Sequence, residues 1–356
     1  MTTRWKRRPV GSTWGDFGPD DQRGRINLLT PERVRRAVQE VREGLTFCLS
    51  LPLDYPGGNK LNPRRHPPRL RATVREHAGS PNYAFPVGRE VPGATDVVCD
   101  DAVLLHLQYS TQWDSFAHVG SMFDADGDGV PEPVFYNGFR AGEHITVPDH
   151  DVRVVMDGAI PLEGGQALEG VRARALGIER MAESCVQGRG VMIDLHAAFG
   201  RERRFIGYDD LMRVMTADKV EVETGDMVCL HTGFADVVLA MNGDPDTHTL
   251  ENSCVVLNGR DDRLLKWIAD SGLAVLIADN YAVEGLPSRP GVGSCASLPL
   301  HEHCLFKLGV HLGELFHFGD LARWLRAHNR SRFLLTAPPL RLPGAVGSPA
   351  TPVATV

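Results

Sequence analysis

Long apolar runs are missing from this chain. No stretch approaches the about 20 consecutive apolar residues that a membrane-spanning helix needs. The first eight residues are basic, but no apolar stretch of the kind found in a secretory signal peptide accompanies them. The sequence therefore predicts a cytoplasmic protein that has no membrane partner.

Paired cysteines are missing as well. The seven cysteines form no C-x-x-C pair and their number is odd, a pattern typical of free thiols in a reducing cytoplasm. A chain of 356 residues buries a large share of its surface. We therefore expect the protein to fold without a disulfide or a structural metal.

The chain also lacks a strong positive charge. Its formal net charge is -7, whereas a nucleic-acid partner calls for a concentrated basic face. One basic segment, interrupted by prolines, is expected in a solvated loop or a subunit contact, or else at the mouth of a pocket for an anionic substrate. Its arginines are Arg64, Arg65, Arg69, Arg71 and Arg75.

Two common catalytic motifs are absent. There is no Gly-x-Ser-x-Gly nucleophile elbow. Gly291 and Gly293 do not join a strand to a helix, so they make a poor phosphate cradle. Cys304 lies beside His303 and can in principle act as a nucleophile, although a buried structural cysteine is commoner.

Apolar runs and helical patterns alternate along the chain. This alternation predicts an α/β fold, a single compact domain with a mixed, β-rich sheet and flanking helices. Residues 54–100, rich in Pro, Gly and Arg, predict a long excursion over the surface. The predicted strands are 45–51, 103–109, 152–156, 190–195, 226–231, 273–278 and 333–335, and the predicted helices are 31–44, 208–215, 260–270, 300–307 and 318–327.

The two ends of this predicted domain differ from its centre. An N-terminal extension covers about residues 1–45, and a tail rich in Pro, Gly and Ala covers about residues 338–356. No linker or repeat divides the chain, so residues 1–356 are expected to form one domain. We expect the tail to be extended and to lie on the surface or on a neighbouring subunit.

The densest polar cluster beside a predicted strand is in residues 108–118. A strand followed by a turn can direct Gln108, Gln112 and Asp114 at one point. Their oxygens suit Mg, Mn or Ca better than Zn, and His118 can take a proton from a water molecule there. Equally, these residues can satisfy the turn, with His118 as a buried, hydrogen-bonded residue, and spacing alone does not decide.

A second cluster consists of His301, Glu302 and His303, followed by Glu314. Helical spacing places Glu302 and His303 on different faces, so that only one or two of the set point inward. Such a run is either a metal site or a solvated helix end, and taken alone the solvated end is favoured. The apolar neighbours draw the cluster inward, where charged groups need partners.

A third candidate is the acidic run Asp124, Asp126 and Asp128. It opens like the Ca²⁺-binding loop of an EF-hand, with acids at alternate positions and a glycine at the sixth. The twelfth position, however, is Phe135, where a bidentate Glu is needed. A solvated acidic turn is therefore the favoured interpretation.

Residues 108–118 resemble the signature of a known family. They are similar to the motif H-x-G-T-H-x-D-x-P-x-H of the cyclase family of metal-dependent hydrolases, which includes bacterial kynurenine formamidases and isatin hydrolases. The resemblance extends over nearly the whole chain, in a form with Gln in place of the motif histidines. The segments that carry it are Gln108-x-Ser110-Thr111-Gln112-x-Asp114-x-x-x-His118, Trp14-Gly-x-Phe-Gly-Pro-Asp-Asp, Asn27-Leu-Leu-Thr-Pro, Tyr136-Asn137-Gly138, residues 301–314 and Leu342-Pro-Gly-x-Val-Gly-Ser-Pro.

This resemblance implies a swivelling β/β/α fold, a homodimer or homotetramer, and a small-molecule substrate. It implies His118 as the general base, with Asp114 as the other catalytic residue. The implied metal ligands are Gln108, Gln112, Asp114 and Glu302, and the implied substrate-binding residues are Trp113, Tyr136, His303 and Glu314.

The sequence departs from the family motif at the metal positions. Both leading histidines are Gln, and Gln is a weaker ligand than imidazole that does not favour Zn. We therefore expect Mn or Mg rather than Zn, or no metal at all. A site without metal can still use His118 and Asp114 as an acid–base pair.

The leading hypothesis is a hydrolase that opens a C–N or C–O bond of a cyclic or aryl amide or lactone, by metal-activated water with His118 as the base. The glutamines motivate an alternative, a metal-independent lyase, dehydratase or ring-forming cyclase in the same pocket. Another alternative is a non-catalytic protein that binds a small molecule. The presence of both Asp114 and His118 counts against it, because a binding module needs no base.

Overall fold

The structure of this protein is a computed structural model that describes residues 4–75, 79–146 and 171–356. Within these ranges a nine-stranded mixed sheet organises the chain. The predicted strand at 152–156 lies outside the described residues. The sheet strands are β1 Thr46–Cys48, β2 Gln112–Asp114, β3 Gln187–Asp194, β4 Met227–His231, β5 Val275–Ala278, β6 His311–Glu314, β7 Arg332–Thr336, β8 Gly347–Pro349 and β9 Val353–Thr355.

The strands lie in the order β1-β9-β7-β3-β4-β5-β6-β2-β8. Strands β3 to β6 are parallel to their neighbours within that set, and the outer pairs are antiparallel. The parallel strands are buried on both faces, as parallel sheets usually are. This arrangement confirms the predicted α/β fold with a mixed sheet.

Alternation along the parallel strands divides the core between the two faces of the sheet. In β3, Val191 and Ile193 belong to one buried cluster and Met192 belongs to the other. The helices at 208–217 and 262–270 contribute leucines to the first cluster, and the helix at 319–327 contributes leucines to the second. Helices therefore cover both faces of the sheet.

The helices largely follow the predicted patterns. Thr30 caps α1, accepting a hydrogen bond from the Arg33 backbone at 3.4 Å, but α1 ends at Val38 rather than at residue 44. None of the described helices has both the length and the apolar composition to cross a membrane. Their bounds are α1 Pro31–Val38, α2 Glu179–Ala182, α3 Leu195–Phe199, α4 Tyr208–Ala217, α5 Phe234–Ala240, α6 Thr247–Asn252, α7 Asp262–Asp270, α8 Pro299–His301 and α9 Gly319–Ala327, with a π-helix at Glu302–Leu308 and 3₁₀ turns at Gly24–Leu28, Val87–Arg89 and Tyr136–Gly138.

Short two-stranded ribbons lie outside the main sheet, several of them in the predicted excursion at 54–100. The strand predicted at 103–109 is wrong in extent and burial, because the structure has an exposed strand that ends at Leu104. Its apolar side chains lie at the surface, and Val103 is 49% exposed. The ribbons pair Arg69–Ala72 with Asp101–Leu104, Val74–Arg75 with Ser80–Pro81, Phe85–Pro86 with Val97–Val98, Ser121–Phe123 with Glu132–Val134, Ile145–Thr146 with Arg172–Ala173, and Arg204–Ile206 with Val255–Leu257.

The C-terminal tail is part of the sheet, which corrects the expectation that it lies on the surface or on a neighbouring subunit. Strand β9 pairs with both β1 and β7, and β8 pairs with β2. Ala354 and Val356 are fully buried. The tail is extended, as predicted, but its backbone hydrogen bonds are made to strands of the same chain.

Candidate active site

Polar residues stand where the parallel strands end. Asp194 and His231 end β3 and β4, Asp279 follows β5, and Glu314 ends β6. The carboxyl ends of parallel strands are the usual edge for ligand sites in α/β proteins. Strand β2 runs antiparallel to β6 and places Gln112 opposite Glu314. The segment 108–118 is therefore brought to this edge.

Strand β2 presents its side chains alternately to the two faces of the sheet. Gln112 and Asp114 face the polar cluster, whereas Trp113 lies in the core on the other face. The Trp113 indole donates a hydrogen bond to the Ala337 carbonyl at 2.8 Å, and its ring meets Phe316 edge-on. Trp113 therefore packs beneath the strand, away from the position expected of a substrate-binding residue.

Three buried side chains form the centre of the site. The ligand atoms of Asp114, His301 and Glu314 all lie within 4.8 Å of one another. His301 Nε2 is 3.3 Å from Glu314 Oε1 and 3.9 Å from Asp114 Oδ2. The three side chains are at most 3% exposed, so the cluster is shielded from bulk water.

Glu284 holds His301 from behind. Its Oε1 is 2.8 Å from His301 Nδ1, and its carboxylate accepts the backbone N–H groups of Leu300 and His301 at the start of α8. Burial favours neutral His301, but the hydrogen bonds to Glu284 and Glu314 outweigh it and raise the pKa of His301 to about 10. The ring is thus fixed between two carboxylates.

The glutamines connect this cluster to His118. Gln112 Nε2 donates to Glu314 Oε2 at 2.9 Å. Gln108 Nε2 donates to Asp114 Oδ1 at 3.1 Å and lies 2.8 Å from His118 Nδ1. His118 Nε2 is 3.9 Å from Asp114 Oδ1. The structure therefore brings together both glutamines, Asp114, His118 and Glu314 of the predicted site.

Glu302 and His303 point elsewhere. Glu302 accepts a hydrogen bond from Ser121 at 2.8 Å and pairs with Lys307 at 3.2 Å. His303 Nε2 contacts the Leu265 carbonyl at 2.8 Å, and burial lowers the pKa of His303 to about 4. Successive helical residues point about 100° apart, so His301, one position before Glu302, is the residue of this run that reaches the cluster.

Tyr136 also lies away from the cluster. Its ring packs on Phe116 with centroids 4.8 Å apart, and its hydroxyl donates to Asp21 at 3.3 Å. Burial raises the pKa of Tyr136. The side chain therefore attaches the N-terminal segment to the core.

The donor atoms of the cluster fit a divalent metal. Asp114 Oδ2 and Gln112 Oε1 are buried and accept no hydrogen bond from the residues that the structure describes. Buried polar atoms without partners are costly and call for a missing partner. Two carboxylates, an imidazole nitrogen and an amide oxygen form a ligand set that Mn, Mg or Zn can use.

A cleft leads from the protein surface to Gln108. Arg65, one of the arginines of the basic segment, donates from Nη1 to the Gln108 carbonyl at 2.5 Å. Across the cleft, Asn62 donates to the Tyr281 hydroxyl at 2.8 Å. Burial, together with the nearby carboxylate of Glu314, raises the pKa of Tyr281. The cleft is thus adjacent to the cluster.

Sequence reasoning missed Glu284 and Tyr281. Neither belongs to a recognisable motif, and they are far from residues 108–118 and 301–314 in the chain. One signal for Glu284 was available in the sequence, since it is a single acid that directly follows the apolar residues at 282–283. The structure shows that it is fully buried. A buried acid needs a partner, and His301 supplies it.

The acidic turn is stabilised by its own backbone. Asp124 accepts the N–H of Gly127 at 2.7 Å, and Asp128 accepts that of Val130 at 2.7 Å. Arg7 pairs with Asp124 at 2.8 Å. The three carboxylates approach within 4.8 Å, but their oxygens already serve the turn.

Known proteins resemble this chain in sequence family and in fold. The putative cyclase family matches residues 49–285. A solved structure described as a novel cyclase is 29% identical, has a TM-score of 0.69, and the alignment covers 97% of each chain. No curated protein matches the chain.

Two isatin hydrolases share the fold. Isatin hydrolase A from Ralstonia solanacearum is 12% identical with a TM-score of 0.53, over 90% of this chain and 93% of that one. Isatin hydrolase A from Labrenzia aggregata, bound to benzyl benzoate, is 11% identical with a TM-score of 0.51, over 89% and 94%. The match of the family across two thirds of the sequence confirms the resemblance seen in the motifs: this chain belongs to the putative cyclase family.

Proposed function

We propose that this protein is a metal-dependent hydrolase that opens a C–N or C–O bond of a cyclic or aryl amide or lactone. The observation that carries the proposal is the pair of unpartnered buried oxygens, Asp114 Oδ2 and Gln112 Oε1, beside His301 and Glu314. Membership of the cyclase family and the isatin hydrolases that share its fold support the same reaction class.

Asp114, His301 and Glu314 would hold the metal, with Gln112 Oε1 as a further oxygen ligand. When bound, a divalent cation supplies Lewis acidity to a substrate carbonyl and makes water more acidic. An oxygen-rich set favours Mn or Mg over Zn. Glu284 contributes by fixing the ring of His301.

His118 moves the proton in this proposal. Its side chain is 23% exposed, whereas that of Asp114 is 1% exposed, so only His118 can exchange a proton readily with solvent. Its Nδ1 now accepts from Gln108 Nε2. The attacking water takes the place of Gln108 as the donor to Nδ1, and His118 removes its proton. His118 then passes this proton to the nitrogen or oxygen that leaves when the C–N or C–O bond breaks. Gln108 stays hydrogen-bonded to Asp114 and positions the pair.

A second candidate function is metal-independent acid–base chemistry, as in a lyase, a dehydratase or a ring-forming cyclase. The observation that favours it is the environment of His301, whose pKa is raised to about 10 by Glu284 and Glu314 despite burial. An imidazolium between two carboxylates offsets part of the negative charge of the cluster without an ion. His301 would then donate a proton while His118 accepts one.

The two functions are separated by metal removal. Purified protein is assayed with isatin, an aryl formamide and an aryl lactone, before and after chelation, and again after Mn or Mg is added back. We expect turnover that is lost on chelation and restored by the metal. Turnover that survives complete metal removal would support the second candidate instead.

Substitution of the base tests the site itself. His118→Asn should lower kcat by about 100-fold or more, the usual contribution of a general base. His248→Asn, a change at an exposed histidine of α6, is the matched control and should leave kcat unchanged. Equal turnover by the His118 variant and the wild type would refute the proposed role.

A further inference from the structure

A cavity of about 320 Å³ lies beside the candidate active site. Phe234, Leu250 and Leu286 supply apolar walls, whereas Lys60 and Glu251 add charged groups to its lining. Arg203 and Asn280 also line it. A volume of this size lies within the range of small-molecule sites, which combine apolar walls with a few polar groups.

Arg203 has no partner among the residues that the structure describes. In the described part of the chain its guanidinium makes no hydrogen bond and no ion pair, although it is half-buried and its burial lowers the pKa of Arg203. Its neighbour Arg204 pairs with Asp210 at 2.9 Å. Glu251, a carboxylate that also lines the cavity, is exposed and does not pair with Arg203. A half-buried guanidinium that lines a cavity and pairs with no described carboxylate is suited to bind an anion there.

Asn280 lines the cavity as a buried amide. Its Nδ2 donates to the Val255 carbonyl at 3.1 Å, whereas its Oδ1 is buried and has no partner within the described ranges. The residue is 2% exposed. An amide oxygen can only accept a hydrogen bond, and this one has almost no surface open to the cavity, so Arg203 is the group that a ligand can reach.

The cavity adjoins the catalytic cluster. Tyr281 lines both the cavity and the cleft that contains Gln108. The backbone carbonyl of Asn280 accepts the N–H of Leu315 at 3.1 Å, and Leu315 follows Glu314 directly. A molecule that occupies the cavity would therefore extend toward the cluster along Tyr281.

We propose that this cavity binds a carboxylate attached to an apolar body, with Arg203 pairing with the carboxylate. A guanidinium matches a carboxylate with two parallel hydrogen bonds. The further statement that this carboxylate belongs to the substrate, at the end remote from the bond that is cleaved, rests on the proposed hydrolase function.

Binding is tested without turnover, so a failure of the hydrolase proposal does not affect the result. Calorimetry compares 3-phenylpropionate with the neutral 3-phenylpropanamide on the full chain. The acid should bind and the amide should bind at least about tenfold more weakly, a difference of one charged hydrogen-bonded contact. Equal binding of both probes, or binding of neither, would overturn the proposal.

Variants locate the site. Arg203→Gln should weaken binding of the acid by about tenfold or more, and Arg203→Lys, which keeps the charge but loses the planar fork, should weaken it less. Arg201→Gln, at an exposed arginine two residues away, is the matched control and should bind like the wild type. Unchanged affinity in a folded Arg203→Gln protein, or a loss in Arg203→Lys as large as that in Arg203→Gln together with an equal loss in Arg201→Gln, would exclude this cavity.

The assay of turnover then tests the part that rests on the hydrolase function. For an aryl amide that carries a remote carboxylate, Arg203→Gln should raise KM about tenfold and leave kcat unchanged, because Arg203 does not touch the reacting bond. An absence of turnover in the wild type would refute the hydrolase while the binding result stands. Unchanged KM with weakened binding of phenylpropionate would show a site separate from the substrate's.

Discussion

The two oxygens of Asp114 have different environments. Oδ1 accepts a hydrogen bond from Gln108, whereas Oδ2 lies near His301 and accepts none within the described residues. Gln112 shows the same division, because its nitrogen donates to Glu314 and its oxygen is unpartnered. The two motif glutamines thus orient the carboxylates of Asp114 and Glu314. Among the described residues, Asp114 Oδ2 and Gln112 Oε1 each remain without a hydrogen-bond donor.

At the scale of single residues, the proposed function predicts that Glu284 controls metal affinity through His301, which it holds, and not as a ligand. Glu284→Gln keeps the size of the side chain but weakens the hold on His301 Nδ1. We expect Mn²⁺ to bind about 10–100-fold more weakly, the usual effect of removing a carboxylate that orients a histidine ligand. The measurement is a Mn²⁺ titration followed by calorimetry.

A control for this variant is available in the acidic turn. Asp126→Asn removes one of the three carboxylates of the acidic turn, which also lie close enough together to hold an ion. It should leave Mn²⁺ affinity at the tight site unchanged. If Asp126→Asn weakened binding and Glu284→Gln did not, the metal would bind in the turn rather than in the buried cluster.

At the scale of elements, the last strands of the chain support the site. Strand β8 pairs with β2, which carries Gln112 and Asp114, and β9 closes the other side of the sheet between β1 and β7. The π-helix at Glu302–Leu308 begins directly after His301. Irregular helices of this kind often occur at functional sites.

Burial of β9 makes a specific prediction. Ala354→Asp places an unpaired charge at a fully buried position and should lower the free energy of unfolding by about 3–5 kcal/mol, as uncompensated buried charges do. Val353→Asp, on the other face of the same strand and 36% exposed, should cost less than about 1 kcal/mol. Urea denaturation measures both. Equal, small effects would place the tail outside the sheet.

Several elements could be predicted from the sequence because their patterns are local. The apolar runs at β3, β4, β5 and β7 and the helical spacing at α4, α7 and α9 were sufficient. The exposed strand near residue 103 was misjudged, because a short apolar run looks the same on a surface ribbon as in a core. The tail was misjudged because its composition does not show that its strands pair with distant strands of the sheet.

At the scale of the whole molecule, stability should depend on pH through Asp194 and His231. They are 2.8 Å apart. Burial raises the pKa of Asp194, but His231, the Ala197 N–H and Arg326 outweigh it and lower the pKa of Asp194 to about 2. Burial lowers the pKa of His231, but Asp194 and Asp279 outweigh the effect of burial, so that the pKa of His231 is raised overall.

The sign of each contribution follows from these directions. Asp194 stabilises the folded state above its unfolded pKa of about 3.9, and this contribution is lost as pH falls toward about 2. His231 stabilises the folded state below about pH 6.5, its pKa in the unfolded chain. This contribution is lost as pH rises through the higher pKa that His231 has in the folded state. The pair of Asp194 and His231 therefore stabilises the folded state most between about pH 4 and 6.5.

Chemical denaturation at several pH values tests this linkage. Between about pH 5 and 3, wild-type stability should fall by about 1–2 kcal/mol more than that of Asp194→Asn, after allowance for partial exposure. Asp209→Asn, which removes one partner of an exposed ion pair with Arg263, should follow the wild type. Parallel curves for wild type and Asp194→Asn would contradict the assignment.

The sequence by itself determined the α/β class, most of the buried strands and the family, and it predicted the segment 108–118 as the place of the chemistry. These follow from local periodicity and from residues close together in the chain. Only the tertiary structure decided that His301 rather than Glu302 joins Asp114 and Glu314, that Glu284 holds His301, and that Arg203 lines a cavity next to them. Such groupings depend on strand order and on the direction of each side chain, which are set by packing between distant parts of the chain.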